Sequence, residues 1–405
     1  MRTLRRWLAF GCVATIAACT TAPPIVPPKT APQAVAPSAL PAIYLPATFA
    51  DLPGWNADRA DLAWPALEVG CKRLTGVAAT QPLWQPACDA AAALPGVDAA
   101  GARRFFETHF SVWKIAGADG SDIGLATGYY EPLLSGSRAP SAKYATPLYA
   151  PPDDLLVVDL ASLYPELAGK RVRGRVDGRK VVPYWTRADI EQGHAPMRDK
   201  ALLWVDDPVD AFFLEIQGSG RVRLDDGSVI RVNYADQNGH PFRSIARVLV
   251  DRGEMTLDRA SMQSIRAWGR DHPDQLPALL DENPSYVFFR IVPAPVPGTL
   301  EAAIDGPIGS LGVPLTRERS IAVDARAVPL GAPVYLSTTR PLSDTPLQRL
   351  VFAQDTGGAI RGAVRADFFW GFGADAAHEA GRMKQPARMW VLWPLAAGVP
   401  RVPPA

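Results

Sequence analysis

The 405-residue sequence is poor in the groups from which most metal and cofactor sites are built. Its five histidines are scattered, and its four cysteines include no CxxC pair. His109 and His378 are the nearest to candidate ligands, yet no metal-binding set stands at local spacing, and neither metal nor cofactor is expected. No GxSxG elbow, phosphate loop or dinucleotide fingerprint occurs, and Gly218-Ser-Gly is too short to act as one, which disfavours serine hydrolases and nucleotide enzymes. Charge of one sign is lacking as well. With 42 Lys and Arg against 41 Asp and Glu, the formal net charge of +1 argues against a nucleic-acid surface and against simple capture of a polyanion. No internal repeat emerges. Beyond the N-terminus no apolar run approaches the roughly 20 residues of a membrane helix.

What is present begins at the N-terminus. Met1-Arg-Thr-Leu-Arg-Arg is a positive n-region, Trp7 to Ala17 an apolar stretch of signal-peptide length, and Ile16-Ala-Ala-Cys19 a small-residue approach to a cysteine. This resembles a bacterial lipoprotein cleavage box. The resemblance implies a signal peptide over 1–18, lipidation of Cys19 and, because Thr20 rather than Asp follows, transport to the outer membrane. An ordinary secreted protein cut nearby is the other reading. Residues 19–46 then form an anchor and a Pro/Ala-rich spacer, with Pro23-Pro24 and Pro27-Pro28 favouring extended polyproline II. The mature chain is expected to be a globular body on a lipid tether, facing the periplasm.

The remainder is long enough for two domains and, at 48% hydrophobic and 20% charged residues, has ordinary globular composition. Once Cys12 leaves with the signal and Cys19 carries lipid, Cys71 and Cys88 remain. In an oxidising compartment they are expected to form a disulfide. Residues 55–110 read as short helices broken by Pro82, Pro86 and Pro95. Strands are read at Leu125–Leu134 with a proline break, at Ala201–Val205, at Ala211–Gln217, and as a hairpin at Arg221–Val232 turning on Asp225-Asp-Gly. Helices follow at Ser244–Arg252 and Arg259–Arg270. Further strands are read at Ser285–Val292, Ser320–Val323, Pro333–Leu336, Leu350–Ala353 and Met389–Leu392.

Three aspartates close or follow apolar runs in this last region: Asp324 in Ser320-Ile-Ala-Val-Asp, Asp355 in Phe352-Ala-Gln-Asp-Thr-Gly-Gly, and Asp367 in Arg365-Ala-Asp-Phe-Phe-Trp. An Asp in such a place is commonly a turn residue that hydrogen-bonds its own backbone. Asp367 differs in standing beside Phe368, Phe369 and Trp370, which could strip water from its carboxyl and raise its pKa as a general acid requires.

Thr127-Gly-Tyr-Tyr-Glu-Pro, Gln217-Gly-Ser-Gly, Asn238-Gly-His with Phe242-Arg-Ser-Ile, Asn283-Pro-Ser-Tyr-Val-Phe-Phe and the block from Ser320 to Gly373 together resemble the membrane-bound lytic murein transglycosylase A family. The likeness runs in order over most of the chain beyond Leu125. It implies a mainly β protein with accessory helices: a double-psi β-barrel assembled from 47–133 and 283–400, a β-rich substrate-binding domain inserted at 134–282, and a glycan groove between them. It also implies cleavage of the β-1,4 bond between N-acetylmuramic acid and N-acetylglucosamine of peptidoglycan, with a 1,6-anhydromuramoyl end. Carried over residue by residue, the catalytic aspartate falls on Asp367. Asp355 is its supporting neighbour, and Asp324 is structural or part of the site's electrostatics. Ala325-Arg326 departs from the family's form, and Thr356 stands in a position that varies.

Flat sugar faces suit aromatic platforms, so Tyr129, Tyr130 and Trp370 are candidate stacking residues and Thr127, Glu131, Gln217 and Ser219 candidate polar contacts. Each aromatic has a core role as its alternative. Gly128, Gly218, Gly220, Gly357 and Gly358 are expected to serve backbone geometry. The expected partners are glycan strands and the outer membrane, with no nucleic acid; wall-synthesis and division proteins stay open as a further class. Two other functions stay open too: a hydrolase of the same glycan with Asp355 or Glu131 as second carboxylate, and a non-catalytic peptidoglycan-binding lipoprotein.

Overall fold

A computed structural model describes residues 42–401 apart from residues 95, 165, 166 and 168–171. The expected signal peptide, Cys19, most of the spacer and the break at Pro95 lie outside the described residues. The chain enters through β1 (Ile43–Ala47), helices α1 (Trp64–Thr75), α2 (Gln81–Ala92) and α3 (Ala99–His109), then β2 (Phe110–Ala116) and β3 (Gly124–Glu131). A second group follows: β4 (Leu133–Ser137), β5 (Thr146–Tyr149), β6 (Leu156–Val157), β7 (Arg173–Asp177), β8 (Lys180–Pro183), α4 (Arg187–Glu191), β9 (Ala201–Val205) and α5 (Pro208–Gln217). It continues with β10 (Ser219–Leu224), β11 (Val229–Gln237), α6 (Ile245–Asp251), α7 (Met262–Asp271), α8 (Leu276–Asp281) and β12 (Val287–Val292). The last stretch holds α9 (Leu300–Ile304), β13 (Ser320–Val323), β14 (Pro333–Thr339), β15 (Pro346–Asp355), β16 (Arg365–Phe372), α10 (Ala374–Ala380) and β17 (Lys384–Pro394).

Six strands close a ring in the order β3, β16, β13, β15, β14, β17 and back to β3. The β3–β16 and β13–β15 pairs are parallel and the rest antiparallel. This is the expected double-psi β-barrel. Closure depends on the length of β17, whose Lys384–Ala387 half pairs with β3 while its Trp390–Pro394 half pairs with β2. All four residues of β13 are buried, as are Pro333–Leu336 and Leu350–Gln354. Strands buried on both faces read as unbroken apolar runs, which is why these were visible in the sequence. Cys71 and Cys88 are joined across α1 and α2, with Cα atoms 5.5 Å apart.

The second group builds a six-stranded sheet in the order β12, β11, β10, β4, β9, β5 and a small sheet of β6, β7 and β8. Its hairpin β10–β11 is the one expected at Asp225-Asp-Gly. Four expectations change. Ala211–Gln217 is helical, because Asp207 caps α5 by accepting from the Val209 and Asp210 amides and Pro208 fills its first turn. Pro82 and Pro86 lie within α2 instead of breaking it; Pro82 sits in the first turn, where no N–H is needed. The spacer stops short of residue 46, since Ile43–Pro46 pair with Trp113–Ala116 and Tyr44 donates to the Ala327 carbonyl at 2.6 Å. β12, expected with the barrel, pairs with β11 and belongs to the inserted sheet.

Candidate active site

Asp355 ends β15 and Asp367 is the third residue of β16, and Ala322 of β13 pairs with both, one on either side. Two strand spacings put their backbones roughly 10 Å apart. Directly across from Asp367 on β3 stands Thr127, whose Oγ1 donates to the carboxylate at 2.5 Å and accepts from Arg365 Nη2 at 2.9 Å. Residues two apart on a strand share a face. Phe369 therefore lies on the Asp367 side, packed with Tyr129, Leu315, Ala322 and Ile360. Phe368 and Trp370 turn the other way, into the main core, in edge-to-face contact at 5.0 Å.

Asp367 keeps partial contact with solvent, but burial dominates its chemistry and pushes its carboxyl up to about 6. The Thr127 hydrogen bond and the Arg365 charge oppose that rise, and the Asp355 charge adds to it. Burial raises the Asp355 carboxyl too, against four donors: the Ser310 amide and hydroxyl and the Thr356 amide, each at 2.9 Å, and the Tyr129 hydroxyl at 3.1 Å. Tyr129 thus bridges β3 to Asp355, and burial holds its phenol well above the usual range. Asp324, 3% exposed, follows β13 and is gripped by Arg326 Nε and Nη2 at 2.9 and 2.7 Å and by the Gly362 amide at 3.0 Å. Burial would raise its carboxyl; these hydrogen bonds outweigh it and hold the group below the ordinary range.

A cleft of about 460 Å³ opens beside Asp355, with Ser310, Thr356 and Gly357 on the barrel side and Gln217, Ser219 and Asn233 on the inserted side. Gln217 Oε1 accepts from the Tyr130 amide at 3.1 Å, which ties the end of α5 to β3. Gly218, at φ +76°, ends α5 and turns the chain into the cleft wall. A Cβ on Gly128 would stand 2.6 Å from Trp370 Nε1, so that glycine serves close packing.

Of the residues singled out by sequence, Thr127, Tyr129, Asp355 and Asp367 converge, with Gln217 and Ser219 in the cleft wall; Tyr129 is buried and donates to Asp355, so it offers no face for stacking a sugar. Three go elsewhere. Trp370 is core; Tyr130 is buried, with its hydroxyl 3.6 Å from Met262 Sδ. Glu131 is 1% exposed and bound by Arg221 Nε at 2.8 Å, which in turn pairs with Asp305. The missed residues are Arg365, which the two-residue alternation with Asp367 could have found, Phe242, 54% exposed on the cleft, and Ser310, which sits in a loop that carries no pattern.

The family description "MltA specific insert domain" matches residues 125–290, and "3D domain" matches residues 319–393. The membrane-bound lytic murein transglycosylase A of Escherichia coli K12 is 33% identical over 291 residues, covering 69% of this chain and 68% of that protein. The crystal structure of MltA from Neisseria gonorrhoeae, in its monoclinic form, superposes with a TM-score of 0.76 at 37% identity, covering 90% of this chain and 95% of that one. Escherichia coli MltA with bound chitohexaose superposes with a TM-score of 0.62 at 26% identity, covering 88% and 94%. With its barrel, its insert and these relatives, the chain belongs to the membrane-bound lytic murein transglycosylase A family.

Proposed function

We propose that the protein is a peptidoglycan lytic transglycosylase that cleaves the β-1,4 bond between N-acetylmuramic acid and N-acetylglucosamine and leaves a 1,6-anhydromuramoyl end, with Asp367 as sole acid and base. The observation that carries this reading is a carboxyl in partial contact with solvent whose pKa burial pushes up to about 6. Such a group holds a proton for the leaving oxygen and still ionises easily afterwards. Relatives named lytic murein transglycosylase, and one crystallised with chitohexaose, support a glycan strand as the substrate of the cleft.

Protonated Asp367 gives its proton to the glycosidic oxygen as the bond to the anomeric carbon breaks. The C6 hydroxyl of the same muramoyl sugar attacks that carbon, and the Asp367 carboxylate takes the hydroxyl proton, so the enzyme returns to its starting state. The Thr127 hydrogen bond and Arg365 stabilise the carboxylate formed midway. A hydrolase needs a second carboxylate free to activate water or attack. Glu131 is held by Arg221 and Asp355 by four donors, which favours the one-carboxylate route. The same proposal includes the Cys19 anchor and an outer-membrane, periplasm-facing location. Relatives are named membrane-bound, and among the described residues no helix is long and apolar enough to cross a membrane.

Digestion of purified sacculi followed by mass spectrometry of the released muropeptides tests this directly. Anhydro ends are expected from the wild type, and Asp367→Asn is expected to cut about 10²- to 10⁴-fold more slowly while still binding glycan. Reducing ends in place of anhydro ends would restore the hydrolase. Near-normal cleavage by the variant would remove Asp367 from the role.

A further inference from the structure

A second, larger cavity meets the cleft only at Ser310 and holds none of the three aspartates. It has a volume of about 1100 Å³ and opens between the α1–α2 turn, the barrel segment around Leu330 and the C-terminal stretch from Trp393 to Arg401. Small-molecule pockets commonly span about 300–1,000 Å³, so this one is generous. Its walls are apolar, with Leu74, Leu83, Trp84, Leu311, Leu330 and Trp393 among them. Leu395 and Val399, exposed by 62% and 50%, carry apolar surface outward along the C-terminal stretch.

Charge at this cavity has one sign. Arg73, Arg326 and Arg401 line it, and among the described residues none of the lining groups is acidic. Arg326 is already spent on Asp324. Arg73 uses only Nε, donating to the Leu311 carbonyl at 3.1 Å, which leaves its two terminal nitrogens for a ligand. A guanidinium fork matches the oxygens of phosphate or carboxylate, whereas the apolar floor offers a peptide or a sugar few partners. Apolar walls with unspent cations at the edge fit a molecule that is both greasy and anionic.

We infer that this cavity binds an anionic amphiphile, its acyl chain on the Trp84 and Trp393 side and its phosphate or carboxylate head against Arg73 and Arg401. The inference stands apart from the glycan chemistry. It is tested on the chain from Thr20 to Ala405, which contains the whole described structure and lacks Cys19. Titration calorimetry is run below the critical micelle concentration with three probes sharing a 16-carbon chain: palmitate, palmitoyl lysophosphatidylglycerol and uncharged monopalmitoylglycerol. Saturable one-to-one binding is expected for an anionic probe, at least about tenfold tighter than for the neutral one, as a charge-assisted hydrogen bond implies. The two anionic arms tell a carboxylate head from a phosphate head.

Arg73→Gln with Arg401→Gln should bring anionic binding down to the neutral level while leaving the circular dichroism spectrum unchanged, and Arg401→Gln alone should leave glycan cleavage unchanged. Leu330→Asp should weaken all three probes. Absence of saturable binding to every probe, equal affinity for neutral and anionic probes in the wild type, or anionic binding that survives the double Gln variant would each overturn the assignment.

Discussion

Arg187 in the inserted region and Asp367 in the barrel wall are both charged groups largely shut off from water, and the protein treats them in opposite ways. Arg187, 2% exposed, spends its nitrogens on Glu215 at 2.7 Å, Glu191 at 3.1 Å and the Ser285 and Asn283 carbonyls at 2.8 and 3.2 Å. The Phe212 and Tyr286 rings enclose it at 4.8 and 4.9 Å. Asn238 completes the network through the Trp185 and Pro284 carbonyls and the Tyr286 amide. Asp367 has one side-chain donor, Thr127, and its burial is left largely uncompensated. A satisfied network fixes a wall; an under-satisfied carboxyl stays ready to change protonation state. The difference separates a group that holds structure in place from one whose protonation state can change.

The sharpest way to break this comparison is to remove Arg187. Arg187→Met would leave Glu215 buried beside an apolar chain and the Asn283 carbonyl without its side-chain donor, and losing one partner of a buried pair typically costs about 3–5 kcal/mol. Urea unfolding should show that loss, and Arg187→Met with Glu215→Leu should recover a large part of it. A single variant as stable as the wild type would mean that the network is not what holds the insert.

The helices over the barrel are pinned covalently instead. Replacing Cys71 and Cys88 by Ala should lower stability by about 3 kcal/mol on the chain-entropy estimate for a loop of this length, without altering the pH profile of cleavage. Equal unfolding midpoints with and without reductant would dispose of that contribution.

A smaller effect contrasts the two sites by sign. The Asp367 carboxyl titrates at 3.8 when free and at about 6 in the fold, so the native state binds the proton more tightly. Stability therefore falls as pH rises between those values, and the loss is complete above them. Asp367→Asn should be more stable than the wild type at pH 7, by on the order of 1–2 kcal/mol once its partial solvent contact is allowed for, and no different below pH 3.8. Arg187→Met moves stability the other way. An Asp367→Asn protein less stable at pH 7 would show the carboxylate to be compensated after all.

The barrel strands were legible because burial on both faces writes continuous apolar runs such as Leu350–Ala353. Ala211–Gln217 carries the same kind of run and folds as a helix, because the Asp207-Pro208 start outweighs apolar content, and a short run alone does not separate the two. Within the site, Asp367 stood out by its aromatic neighbours, yet two of the three face away. Adjacency in sequence is not adjacency on a pleated strand, and the apolar cover comes from Tyr129, Leu315, Ala322 and Ile360 as well as Phe369. Those residues arrive from separate elements and loops, which local pattern cannot bring together. The Asn283-Pro-Ser-Tyr motif, read as a mark of the family, proves to be part of the insert's polar core.

The finest test works on Asp367 through its neighbours. If Asp367 must be protonated to start the reaction, kcat/KM should fall as pH rises through about 6. Thr127→Val removes a hydrogen bond that favours the carboxylate, so the descending limb should move to higher pH; Arg365→Gln should push it the same way by removing a positive charge. Asp355→Asn removes a like charge that favours the protonated form, and its limb should move to lower pH. Opposite displacements from two sides of one carboxyl are hard to obtain from general loosening of the fold, which would lower the rate at every pH. A limb that stays in place in all three variants would mean that the titrating group is not Asp367.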